Sequence, residues 1–528
     1  MIRTADVSTL SIPAEPIMIE TGDPGALQTV VALFAALNGE GIRYCHWKSN
    51  LRLERGLRGA TDLDILVDPA DAMRFHNLLE DFGVRRMLAP PGKRYPSIAD
   101  YLGCDGATGV LFHLHVHYQL VLGEQFVKNY RLPLARYFLN SARPSMGVMV
   151  PSPELELAVL SLRALLKYRD RDAIKDILLI RSPGIPAPIQ DEIQWLAAQT
   201  TTARVYEAAA DALGVPAADV IVAFLLQMRA APRNGRELLR LRRAARSTLA
   251  PYRRLRRSRA LARYLGETVR RRNRLRLGPP RKMTLPGRGV SVGLLGADGA
   301  GKTTVAAELT TWLGRMVEVR GYYQGSKQPS AASRGLYLAF RAFRRAHRDW
   351  SAHFGAGNMI ARLLAGARRL FLSGHYLSVG IDRYRRHRAG LRAVDRGEVV
   401  IYDRFPLIAP LDGPVIRQEV GGRGTEELSR VEESLYRRFQ PPDVFLVLAV
   451  DPEISLRRKP DHDREAIEAK ARLLKRLIED PELGPVAGHK VVIDAGRPLA
   501  IVLEDARRSV WRILLDAEST ETPSPKKR

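Results

Sequence analysis

The sequence predicts an α/β chain of two unlike parts: a doubly wound parallel sheet with helices on both faces toward the C-terminus, preceded by a small α+β domain with a helical appendage. Three observations lead there. The chain has 528 residues and is 45% hydrophobic, more than one core holds, since single domains stop growing at about 250 to 300 residues. From residue 290 onward apolar strand-length runs alternate with helix-period segments, the pattern of a parallel sheet covered on both sides. Between them the composition shifts sharply to arginine. The resulting division is 23–150, 151–277 and 288–517.

Taken in order, residues 23–38 carry a helical period, and 42–47 and 62–67 are short apolar runs joined by a polar loop, read as two strands. Residues 70–82 are helical again, and 111–122 alternate as a further strand. From Pro153 the period is helical over 153–168, 171–180, 189–198 and 203–228, with a Pro- and Gly-bearing loop at 182–186. An Arg-rich helix follows over 236–274, interrupted at Pro251, and a Gly/Pro linker closes the region at 278–287. Beyond it strands are expected at 290–295, 317–323, 399–402, 444–450 and 490–493. Helices are expected at 302–312, through a long region ending near 394, and at 426–439, 464–478 and 499–515. The tail 519–528 has the composition of a disordered end.

Gly296-Ala297-Asp298-Gly299-Ala300-Gly301-Lys302-Thr303 matches G-x-x-x-x-G-K-[ST] in full, after an apolar strand and at the start of a helix. Glycines let backbone N–H groups converge on phosphate oxygens, and the helix N-terminus adds its positive dipole end. Lys302 supplies a point charge, and the Thr303 hydroxyl is placed for magnesium. This is a P-loop for ATP or GTP. A second apolar run, Val399-Val400-Ile401-Tyr402, ends in Asp403-Arg404. A carboxylate at the end of a neighbouring strand holds the metal's water shell in such proteins.

The loop with Asp298 and a second Thr at Thr304, then Asp403-Arg404-Phe405, then the run 442–448 followed by Asp451-Pro452-Glu453, together resemble the thymidylate kinase branch of the P-loop nucleoside monophosphate kinases. Arg457, Arg458, Lys459 and Arg464 fall where that family has its basic lid, and the likeness covers about residues 290–515. The resemblance implies that ATP and Mg2+ bind here, with Gly296, Asp298, Gly299, Ala300, Gly301, Lys302, Thr303 and Thr304 as the nucleotide cradle and Thr303 with Asp403 at the metal. It implies that Arg404 grips an acceptor phosphate, that Asp298 meets an acceptor hydroxyl, and that Arg457, Arg458 and Arg464 neutralise the transferred group. The family default is dTMP + ATP to dTDP + ADP. After Phe405, however, this chain runs Pro406-Leu407-Ile408-Ala409-Pro410-Leu411-Asp412-Gly413-Pro414. That variant resembles thymidylate kinase-like proteins of bacterial surface-polysaccharide clusters and implies a different acceptor.

In the N-terminal part Lys48-Ser49-Asn50 closes a strand, and Asp62-Leu63-Asp64 opens the next. Ser at a turn followed by Asp-x-Asp on a strand resembles the nucleotidyltransferase fold, and residues 62 and 64 project to one side of a strand. The resemblance implies Asp62 and Asp64 as ligands of divalent metals that clamp the reacting oxygens. Where relatives carry a third carboxylate this chain has His113-Leu114-His115, with His117 following. These histidines are either a solvated strand face or metal ligands.

The net charge is +26, and roughly twenty Lys and Arg against Glu237 and Glu267 put about +18 of it in residues 231–290. Residues 253–276 suit anionic lipid or an acidic glycan. Without regular aromatic interleaving, nucleic acid is not an expected partner. Cys45 and Cys104 are too few for a disulfide framework, and no basic head precedes an apolar segment, so a reducing cytoplasm is the expected compartment. No run reaches the roughly 18 apolar residues of a membrane span, which leaves peripheral contact with the inner membrane face. The reading is therefore a kinase acting on a phosphorylated small molecule, with two rivals: an ATP-hydrolysing switch, and nucleotidyl transfer by the N-terminal part.

Overall fold

The computed structural model describes residues 25–124, 126–168, 185–229, 235–272, 280–325, 328–406, 416, 420, 426–461, 463–479 and 489–517. The expected helix at 171–180, the stretch 407–414 and the tail 519–528 lie outside them. The chain forms two compact units, one of Met1–Arg86 with Gly92–Gly278 and one of Met87–Pro91 with Pro279–Arg528.

In the first unit α1 (Gln28–Gly39) buries Val30, Leu33, Phe34 and Leu37, the i, i+3, i+4, i+7 stripe that drives an amphipathic helix onto a core. β1 (Tyr44–His46), α2 (Leu53–Leu57), β2 (Leu63–Val67), α3 (Ala72–Asp81), β3 (Arg85–Met87), β4 (Ile98–Cys104) and β5 (Leu111–His117) follow. Their sheet has the order β1-β2-β5-β4-β3. β2 runs parallel to β5, and β4 antiparallel to it. The single strand expected at 111–122 divides: β5 ends at His117, and β6 (Leu120–Leu122) pairs instead with β7 (Tyr130–Leu132). After α4 (Ala135–Asn140), β8 (Arg143–Ser145) and β9 (Val148–Val150) form a second hairpin.

The helices α5 (Pro153–Lys167), α6 (Ala187–Ala197), α7 (Thr202–Leu213), α8 (Val215–Arg229), α9 (Gly235–Thr248) and α10 (Arg257–Arg272) complete this unit. Leu160, Leu165, Val205 and Ile221 share one buried cluster with Leu66 of β2 and with Trp47, just past the end of β1, so these helices pack on the strands instead of standing apart. One helix was expected over 203–228; Gly214, at φ +89°, ends α7, and α8 restarts at once. Only glycine takes that backbone at little cost.

The second unit runs β10 (Ser291–Gly296), α11 (Lys302–Leu313), β11 (Val319–Tyr323), α12 (Ala331–Phe354), α13 (Met359–Val394), β12 (Val399–Asp403), α14 (Glu426–Tyr436), β13 (Val444–Ala449), α15 (Pro452–Arg458), α16 (Arg464–Glu479), β14 (His489–Asp494) and α17 (Leu499–Asp516). The sheet order is β11-β12-β10-β13-β14, every pair parallel. Parallel strands buried on both faces need unbroken apolar runs, and β12 and β13 supply them, each buried along its length save Ala449. The long helical region before β12 is two helices, parted at Gly355 and restarted by Asn358, whose side chain caps Ile360 N–H.

Phe445 in β13 is fully buried, with its ring edge-on to Phe405 at 5.5 Å between centroids. Phe445→Ala is expected to cost the second unit about 3–5 kcal/mol. Hydrogen exchange should show it as lost amide protection across β10 and β13, with the strands of the first unit unchanged.

Candidate functional site

Strand β10 lies between β12 and β13, so chain leaving β10 and chain leaving β12 depart from adjacent C-terminal ends in opposite directions. That is the switch point at which open parallel sheets bind ligands. The loop from β10 to α11 occupies it. Gly301, at φ +89°, caps α11 and turns the backbone into the helix start. Gly299 is at φ +90°, and a Cβ there would stand 2.9 Å from the Ser455 carbonyl oxygen. Any side chain at 299 would therefore push α15 off the loop.

Lys302 is buried and donates to the carbonyl oxygens of Gly296 at 2.8 Å and Ala297 at 2.6 Å. Burial pushes its ammonium down to about 8, helped by the neighbouring charges of Arg404 and Lys470 and opposed by Asp298. Thr303 donates from Oγ1 to Asp403 Oδ2 at 2.9 Å, joining the loop helix to the end of β12. The other Asp403 oxygen, Oδ1, is buried and has no hydrogen-bond partner among the described residues. A hydroxyl beside a buried carboxylate with a spare oxygen is a donor set that suits magnesium, a hard ion that keeps most of its water. Thr303 and Asp403 therefore fit the ion that a P-loop implies.

Asp298 joins three cations. Arg404 Nη1 reaches its Oδ1 at 3.0 Å and Lys470 Nζ its Oδ2 at 2.9 Å, while Lys302 Nζ stands 3.9 Å away. Burial opposes ionisation of Asp298, but the Lys470 bond and the charges of Lys302 and Arg404 hold its carboxyl well below the usual range. Arg404 itself has φ +65°, a strained backbone for a side-chain-bearing residue and one that clusters at functional sites. Its guanidinium lies 6.0 Å from the Tyr323 ring centre.

Of the other expected cations, Arg458 stays at the loop, donating to the Ala495 carbonyl at 3.0 Å and to the Gly299 carbonyl at 3.4 Å, while Arg464 pairs with Glu453 and Glu468. Arg457 is exposed, and so is Thr304 on the first turn of α11. Gly296 and Ala300 stay in the loop wall. Lys470 was not expected: it is one base among several on α16, and its partner is 172 positions away. Gln324 was also missed. It follows β11, its backbone N–H donates to the Asp403 carbonyl, and both polar atoms of its buried side chain lack partners among the described residues.

In the first unit the structure parts the Asp-x-Asp pair. Asp64 Oδ1 faces His115 Nδ1 at 2.9 Å and Lys48 Nζ at 2.6 Å. Asp62 turns to His113 Nδ1 at 2.9 Å, and His113 Nε2 meets Asp100 at 2.9 Å. Burial works against a charge on His113, yet Asp100 and Asp62 push it up to about 9. Asp100 lies on β4, a strand that the sequence did not reveal. Burial also pushes Lys128 down to about 7 and Lys167 to about 8, so several amines crowd around Asp64.

No family model matches the chain. It is 25% identical to the uncharacterized ATP-binding protein YghR of Escherichia coli (strain K12) over 238 residues, 42% of this chain and 86% of that protein. It is 25% identical to the uncharacterized ATP-binding protein YghS of the same strain over 242 residues, 42% of this chain and 93% of that protein. A thymidylate kinase of Symbiobacterium thermophilum is 31% identical over 126 residues, 23% of this chain and 56% of the kinase. Among solved structures, deoxyadenosine kinase from M. mycoides with bound dCTP aligns with 42% of this chain and 98% of that one, at 16% identity and a TM-score of 0.25. Over about two-fifths of its length, then, this chain is similar to ATP-binding proteins.

Proposed function

We propose that the second unit transfers the γ-phosphoryl group of ATP to a phosphorylated acceptor, as thymidylate kinases do, with an acceptor other than dTMP. The observation that carries this is the Arg404–Asp298–Lys470 set beside Lys302, Thr303 and Asp403. A protein that only hydrolyses nucleotide has no need of a second cationic grip next to its phosphate loop. Phosphoryl transfer proceeds by positioning and by cations at the phosphoryl oxygens, with little covalent work for the protein.

In this reading the loop amides and the start of α11 hold the β-phosphate, and Lys302 leaves the Gly296 and Ala297 carbonyls for phosphate oxygens. Thr303 and Asp403 would hold magnesium, which when bound neutralises charge on the β and γ oxygens. Arg404 exchanges Asp298 for the acceptor phosphate, and Asp298, kept ionised by Lys470, accepts from an acceptor hydroxyl. Similarity to a thymidylate kinase over 126 residues supports the reaction class. The nucleotidyltransferase-like reading of the first unit remains a proposal about fold, supported by Asp64 on a strand parallel to β5.

A contact with anionic lipid is proposed for α10. Leu261, Leu265 and Val269, spaced four apart, are 59%, 53% and 68% exposed on a helix that also bears Arg257, Arg259 and Arg263. An apolar stripe with basic flanks is the form of an interfacial helix. Leu261→Ser with Val269→Ser should abolish co-sedimentation with phosphatidylglycerol vesicles; unchanged sedimentation would remove the proposal.

The acceptor is read by ADP release from ATP and magnesium with dTMP, other nucleoside monophosphates, sugar phosphates, polyprenyl phosphate or no acceptor. At least one acceptor other than dTMP should stimulate release more than dTMP does, and Lys302→Ala should abolish it. Equal release without acceptor would instead favour the hydrolysing switch. Arg404→Met should lower acceptor kcat/KM about 10- to 100-fold, the worth of a charge-assisted hydrogen bond, with little change in ATP affinity.

Lys302 also sets a pH dependence. Burial pushes its amine down to about 8, and phosphate favours the charged form, so nucleotide binding takes up a proton above that pH. Affinity for ATP should be level below about pH 7 and fall as pH rises through 8. Calorimetry in buffers of different ionisation heat should detect the proton, and Lys302→Met should lose it.

A further inference from the structure

We propose that Asp64, His115 and His117 form a three-ligand site for a divalent transition-metal ion of the zinc class, separate from the magnesium chemistry of the phosphate loop. Asp64 Oδ1 and His115 Nδ1 stand 2.9 Å apart, His115 Nδ1 and His117 Nε2 3.3 Å, and His117 Nε2 and Asp64 Oδ1 4.0 Å. With metal–nitrogen bonds of about 2.0–2.1 Å, ligands on a tetrahedron lie roughly 3.4 Å from one another, so the three edges bracket that of a zinc site.

The strands fix this arrangement. Asp64 is the register partner of His115 across the parallel β2–β5 pair, and His115 and His117, two apart on β5, share a face. The Trp47 ring stands edge-on to His117 at 5.0 Å between centroids, holding the imidazole in place. His113 is on the same face but is excluded, because Asp62 and Asp100 already occupy both of its ring nitrogens. The cluster is therefore two imidazoles and one carboxylate, and it does not include Asp62. Imidazole donors select zinc, copper, iron or nickel, whereas magnesium and calcium take oxygen ligands.

Two features make it a site and not a polar corner. The converging atoms are sheltered, with Asp64 at 8% and His117 at 1% exposure. Lys48 Nζ already sits 2.6 Å from the same Asp64 oxygen, so a cation position exists and an ammonium holds it. A metal ion must displace that amine. Three protein ligands leave a coordination position open, and Lys48 with Lys128, whose charge acts on both histidines, favours an anion there.

The full-length chain, stripped with chelator and desalted, should bind one equivalent of Zn2+ by elemental mass spectrometry and give a Co2+ ligand-field spectrum of low coordination number. Asp64→Asn and His115→Gln, checked for folding by circular dichroism, should each weaken Zn2+ by more than the ~10- to 100-fold that losing a supporting outer residue costs. His353→Gln, on an exposed helix end, and Thr303→Ala should retain the ion. Lys48→Met leaves all three ligands in place and should tighten Zn2+ about 10-fold by removing the competing ammonium. It reads the site even where a ligand variant fails to fold. Equal Zn2+ retention in wild type, Asp64→Asn and His115→Gln overturns the proposal, as does unchanged affinity in Lys48→Met.

Discussion

Thr303 meets Asp403 because β10 and β12 lie side by side and run the same way, and the second unit's chemistry depends on that adjacency. Gly293 is the register partner of Tyr402, so β12 ends at Asp403 two residues short of the Gly296 end of β10, and both strands open toward the same edge of the sheet. A parallel pair cannot be joined by a tight turn. The crossover here runs through α11, β11, α12 and α13, well beyond the dozen or so residues that such a connection needs. It also places β11 on the far side of β12 and puts Gln324 next to Asp403. The apolar runs of β12 and of β13 up to Leu448 keep both faces of these strands under the covering helices.

Charge around the loop is arranged as exchangeable pairs. Lys302 rests on two carbonyls, Arg404 and Lys470 rest on Asp298, and each cation has a partner it can leave. Buried charge is tolerated when paired, and each of these cations is paired. Preorganisation of this kind is what lets a transfer site act by position. The first unit reaches its arrangement differently: three alternating histidines on one strand are sorted by their neighbours, one to a pair of carboxylates and two to a single oxygen shared with Lys48.

How much of this was legible follows from how local each cause is. The phosphate loop and the five strands of the second unit were, because glycines at fixed offsets and apolar runs are properties of neighbouring residues. Asp403-Arg404 was legible for the same reason. The pairing of Asp298 with Lys470 was not, since nothing in the spacing of bases on α16 marks which one faces the loop. Strand β4 was missed because Asp100, Gly103 and Cys104 break the apolar alternation that normally marks a strand; its identity comes from pairing with β5. The same omission hid Asp100, and with it the reason Asp62 is drawn to His113. The helix expected over 203–228 overran Gly214, where a left-handed glycine mattered more than the continuing apolar period.

Lys302's two carbonyl partners have a consequence for which anions the loop admits. A ligand must offer more than the pair of bonds it replaces. A triphosphate brings several oxygens to the loop amides and to the lysine at once. The two carbonyls thus set a cost that any anion at the loop has to offset before the lysine turns to it.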